Sequence, residues 1–121
     1  KLEQFNKIKR DIPGEFASRF REGHIQILTS NATHAYMPLL LNDQMINAQM
    51  AAGTSTSKKH LGIQPRGMWL PECAYRPTWE HWMPSVLYDN PRYRQGLEYF
   101  IADAGVTHFF VDTQSGLRDM E

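Results

Sequence analysis

Gly67-Met68-Trp69-Leu70-Pro71-Glu72-Cys73-Ala74-Tyr75 (GMWLPECAY) runs a short apolar stretch into a proline and sets an acid directly behind it. Gly67 to Pro71 has the length and character of a buried strand, and Glu72 then stands just past the strand's carboxyl end. Two more stretches share this design. His24-Ile25-Gln26-Ile27-Leu28-Thr29 alternates with period two and leads into Ser30-Asn31-Ala32-Thr33-His34, while Val106 to Val111 leads into Asp112-Thr113. Segments of helical spacing separate the three, so the sequence predicts an α/β fold with parallel strands joined by crossovers. Such sheets carry their chemistry at the carboxyl ends of the strands. His34, Glu72 and Asp112 are therefore expected at one edge of one sheet.

The helical segments read as follows. Leu2, Phe5 and Ile8 predict a first helix, interrupted at Pro13-Gly14 and resumed at Phe16 and Phe20, with Gly23 as its stop. Pro38 suits the first position of a helix carrying Leu41, Met45, Ile46, Gln49 and Met50, ending near Gly53. A second short helix is expected from Thr54 to Lys58-Lys59-His60, with Gly62 as stop, and Gly53 to Ser57 is the one linker-like stretch. Trp79, Trp82, Met83 and Val86 have helical spacing that Pro84 would kink, which assigns the two tryptophans to the core. Asn90-Pro91 offers a cap and a first-turn proline for a helix through Leu97, Phe100 and Ile101 to Gly105.

Composition narrows the function classes. The chain has 121 residues and is 41% hydrophobic, enough for a core, and its 13 Lys and Arg balance 13 Asp and Glu. A balanced charge gives no global attraction to nucleic acid or to an anionic membrane, so binding is expected at a local site. The single cysteine, Cys73, excludes an internal disulfide and a cysteine-rich zinc cluster, and suits a reducing compartment. Without an apolar run near ~20 residues, a bilayer-spanning helix is not expected, and the expectation is a soluble cytoplasmic protein. A chain that starts at Lys1 and stops just after a strand-like run also reads as an excerpt of a longer one.

Glu72 is the leading candidate for chemistry. Trp69, Pro71 and Tyr75 surround it in sequence with apolar bulk, so partial desolvation is expected, and a charged Glu72 would need hydrogen bonds or a cation. His34 and Arg76 are the candidates for that role. Plainer readings stand beside these: a glutamate or aspartate behind a strand can cap the next segment, and a lone histidine is commonly structural. Cys73 is a poor nucleophile candidate, lacking an evident histidine partner.

GMWLPECAYRP closely resembles the nucleophile motif of glycoside hydrolase family 57, and LTSNATHAYMPLL is similar to the upstream motif of its branching-enzyme branch. GVTHFFVDTQS resembles the strand that follows, and the resemblance runs from about Gly23 onward. It implies an incomplete (β/α)7 barrel, of which residues 1–121 are a central part, with the N-terminal and C-terminal parts of the barrel absent. It also implies a retaining mechanism on α-glucans without cofactor or metal, with Glu72 as nucleophile and His34, Trp69, Tyr75, Arg76 and Asp112 binding substrate. Ala35 departs from the glycine usual in the branching branch. The family's N-terminal histidine-proline motif and its acid/base aspartate have no counterpart here, so the remainder of the barrel would be required. Within the family, an α-amylase or 4-α-glucanotransferase is the alternative to a branching enzyme.

Two other classes remain at this point. A metal-dependent polysaccharide deacetylase would use His34, Asp112 and His108 as ligands. A non-catalytic glucan-binding relative would keep the aromatics and lack the acid/base.

Overall fold

The computed structural model describes residues 1–82 and 92–113. Helix α1 (Leu2–Lys7) is followed by a turn in which Lys9 and Arg10 take left-handed backbone, and α2 (Ile12–Arg21) starts there. The break thus precedes Pro13-Gly14 instead of coinciding with it. Asp11 caps α2 by accepting from the Gly14 backbone N–H at 2.9 Å, and Pro13 sits in the first turn, where a missing N–H costs nothing. Gly23 follows the end of α2, as its place in the sequence predicts.

A 3₁₀ turn at Met37–Leu39 holds Pro38, and α3 (Asp43–Leu61) begins only after it. Asn42 caps α3 through its side-chain oxygen to the Met45 N–H at 3.0 Å. Lys58, Lys59 and His60 occupy the last turn, and Gly62, with φ of 65°, closes the helix by donating its N–H to the Lys58 carbonyl. The two helices expected across Gly53 are one. Thr54 caps nothing: its hydroxyl donates back to the Met50 carbonyl at 2.9 Å inside the same helix.

Strands β1 (Leu28–Thr29), β2 (Gly67–Met68) and β5 (His108–Phe109) form a parallel sheet in the order β1-β2-β5. Leu28 pairs with Gly67 and Gly67 with His108, so all three strands leave the sheet at the same edge. Gly67 is fixed by its neighbours, since a Cβ there would collide with the His108 ring and the Leu28 side chain. Between β2 and β5 the chain makes an antiparallel pair, β3 (Trp79–Trp82) and β4 (Arg92–Arg94), and then α4 (Leu97–Asp103). Trp79 to Trp82 is strand and not helix, and Arg92 to Arg94 is strand where a helix was expected. Met83, Pro84, Val86 and Asn90-Pro91 lie outside the described residues.

Ile46, Met50 and Gly53 fall on one face of α3 and are buried. With Met37, Met68, Leu70, Leu97, Phe100, Ile101 and Val106, Ile46 and Met50 make the core between the sheet, α3 and α4. This core supports the β2 end from below, because Leu70 and Pro71 are fully buried while Glu72 projects outward.

Candidate active site

The three strand ends deliver their residues to one edge, but the loops decide what meets. After β2 a 3₁₀ turn, Pro71–Cys73, is closed by Cys73 N–H to the Leu70 carbonyl and Ala74 N–H to the Pro71 carbonyl. Within it Glu72 takes left-handed backbone at φ of 59°, a conformation that disfavours a residue with a Cβ. His34 shares it, at φ of 56°. Buried Asn31 stabilises the His34 loop by donating Nδ2 to the Ala35 carbonyl at 2.7 Å and accepting the Ala35 N–H at 3.1 Å. Gln49 of α3 fixes the same loop from the other side, accepting the Thr33 N–H at 3.1 Å through Oε1.

These two loops bring His34 Nε2 to 3.2 Å from Glu72 Oε1. An ionised carboxylate only accepts, so toward a charged Glu72 the tautomer that bonds is the one with the proton on Nε2. Both side chains are open, His34 at 60% and Glu72 at 67% relative exposure. The desolvation expected from Trp69, Pro71 and Tyr75 is therefore not found within this chain. Pro71 is buried in the core, and Tyr75 packs on Phe109 and bonds Glu98.

The other expected site residues divide. Trp69 is half exposed, with its ring centroid 6.1 Å from that of Phe110 and its carbonyl accepting from Ser30 Oγ at 3.0 Å. It lies between the β1 and β5 ends. Asp112 is exposed past β5, at the same edge. Tyr75 donates its hydroxyl to Glu98 Oε2 at 2.9 Å and packs on Phe109 with centroids 5.7 Å apart, which is a tie between β2, α4 and β5.

Arg76 is a correction: it is not the cation beside Glu72. It is only 6% exposed and donates to the carbonyls of Pro77, Arg94 and Gln95. Burial, and then the neighbouring Arg94 guanidinium, hold it below the ordinary guanidinium range, with Asp43 and Glu98 pulling the other way. Arg94 ties in turn to the Leu40 carbonyl at 2.8 Å and to the Asp43 carboxylate at 2.8 Å. Trp79 is a second correction, being 51% exposed instead of buried. Its helical spacing to Trp82 misled the reading, and its strand pairing with Arg94 could not be seen locally.

The deacetylase ligands are not assembled. His108 sits within β5 against Gly67, with Nδ1 3.3 Å from the Thr107 hydroxyl, and among the described residues no three His, Cys, Asp or Glu side chains converge as metal ligands.

Residues 1–120 match the family model of Glycosyl hydrolase family 57. The chain belongs to that family. It is 43% identical over 107 residues to the 1,4-alpha-glucan branching enzyme TK1436 of Thermococcus kodakarensis, an alignment covering 88% of this chain and 15% of that protein. The GH57-type branching enzyme of Pyrococcus horikoshii superposes with a TM-score of 0.85 at 39% identity, over 97% of this chain and 22% of that one. The alpha-amylase AmyC of Thermotoga maritima gives 0.72 at 31% identity, over 93% and 18%. The parallel sheet with its crossovers is thus a portion of the family's (β/α)7 barrel, and this GH57 chain spans between 15% and 22% of the length of these three enzymes.

Proposed function

We propose that this chain carries the nucleophile of a retaining α-glucan-processing enzyme, and that the reaction is 1,4-α-glucan branching. The observation that carries the reading is the His34–Glu72 hydrogen bond at the shared strand-end edge, in a chain 43% identical to a named branching enzyme. The Glu72 carboxylate attacks the anomeric carbon as the glycosidic C–O bond breaks, and a separate acid protonates the leaving oxygen. In the second half-reaction a 6-hydroxyl of an acceptor glucan attacks the glycosyl-enzyme, loses its proton to that group and frees Glu72. Where water is kept from the intermediate, transfer prevails over hydrolysis. No residue of this chain is assigned as the acid/base.

The α-amylase reading is the second one, favoured by the superposition on AmyC, but identity to that enzyme is lower than to the branching enzymes of Pyrococcus horikoshii and Thermococcus kodakarensis. Glu72→Gln in the full protein that contains this segment tests the nucleophile. It keeps the side chain's shape, so the fold should persist while branch formation on amylose, followed by iodine staining and linkage analysis, falls on the order of 10⁴-fold. Ordinary turnover in that variant would overturn the assignment.

A further inference from the structure

A cavity of about 440 Å³ opens beside the two strand-end loops, lined by Tyr36, Leu39, Tyr75, Arg76, Thr78 and Trp79. Tyr36 lies two residues past His34 and Tyr75 three past Glu72. At no more than ~3.6 Å per residue, the Cα atoms of these two tyrosines stay within about 7 and 11 Å of those of His34 and Glu72 respectively. Tyr36 is 48% exposed and Trp79 51%, so two aromatic faces are open to an occupant rather than packed.

The chemistry of the lining selects what can enter. Arg76 is its one charged residue, and that guanidinium is buried and directed onto backbone carbonyls, so the cavity offers no exposed charge to an anion or a cation. Thr78 Oγ1 accepts the Gly96 N–H at 3.1 Å, which leaves its hydroxyl proton to donate. Flat apolar faces with polar rims and no exposed charge suit a neutral, polyhydroxylated ring. We infer that this cavity is a glucan subsite, in which Trp79 and Tyr36 receive the faces of sugar units belonging to the chain whose reacting bond lies at Glu72. The inference rests on the proposed function for the identity of the sugar.

The test is binding of amylose and of maltoheptaose in the full protein, by affinity electrophoresis and calorimetry, on a Glu72→Gln background so that the glucan is not consumed. Trp79→Ala and Tyr36→Ala should each weaken binding roughly two- to tenfold, the range expected for one lost aromatic contact. The double variant should lose more, and Trp79→Phe should retain most of the affinity because it keeps a flat face. Thermal midpoints show whether each variant is folded; if Trp79→Ala is not, Tyr36→Ala and Trp79→Phe decide. Folded Trp79→Ala and Tyr36→Ala variants that bind both glucans as tightly as their parent would overturn the subsite, even with Glu72 confirmed as nucleophile. Weakened binding alongside an active Glu72→Gln protein would instead refute the nucleophile and leave the subsite standing.

Discussion

Glu72 and His34 hold left-handed backbone, which for a residue with a Cβ costs of order 1–3 kcal/mol and persists only where the surroundings over-determine it. Here the surroundings are Asn31 closing on Ala35, Gln49 holding Thr33, and the 3₁₀ turn seated on buried Leu70 and Pro71. The acid's identity and its histidine partner were legible because both follow strand-like runs. The role of Arg76 was not, since the three carbonyls it serves include those of Arg94 and Gln95, far off in sequence. Its placement carries a prediction. Arg76→Ala strands those carbonyls and leaves Arg94 to bear the region alone, so the protein should lose about 2–4 kcal/mol of stability, read as a lower urea midpoint. An unchanged midpoint would mean that the guanidinium is not a structural tie.

The helix α3 shows why element boundaries escaped a local reading. Gly53 and Thr54 look like a stop followed by a cap, yet α3 runs through both from Asp43 to Leu61. The glycine is there for a neighbour: a Cβ at Gly53 would collide with the Ser30 carbonyl and crowd the Asn31 backbone, where the His34 loop leaves β1. The helix stops that read correctly, Gly23 and Gly62, are made within a few residues of the ends they close, whereas the Asn42 cap lies past Pro38, where the helix was expected to begin. Likewise β3 is defined by its partner β4 and not by the spacing of Trp79 and Trp82. In an exposed helix Gly→Ala would stabilise by up to ~1 kcal/mol. Gly53→Ala should do the reverse, costing roughly 1–3 kcal/mol by overpacking and shifting the loop that aims His34. Calorimetry and branching assays on the full protein would check it; a raised melting temperature with unchanged turnover would refute the close-approach argument.

At the scale of the molecule, the parallel order β1-β2-β5 puts three strand ends at one edge, but among the described residues the outer strands β1 and β5 each pair on one side only. A closed (β/α) barrel takes about 250 residues, and this chain spans 15% of the length of TK1436. Both members of the His34–Glu72 pair are correspondingly open to water. The sequence showed the parallel edge correctly because alternation of strands and helices leaves few other topologies. It could not show the exposure, which depends on what packs over that edge. Residues 1–121 expressed alone should therefore neither branch nor hydrolyse amylose. Without a positioned acid the leaving glucan departs as an alkoxide, forfeiting roughly 10²- to 10⁴-fold. An open edge also surrenders part of the orientation that makes attack effectively intramolecular. Iodine staining and branch analysis, run side by side on the segment and on the full protein, measure the difference. Turnover by the segment at a rate comparable to the full protein would show that 121 residues suffice for the chemistry, and would require an acid within them.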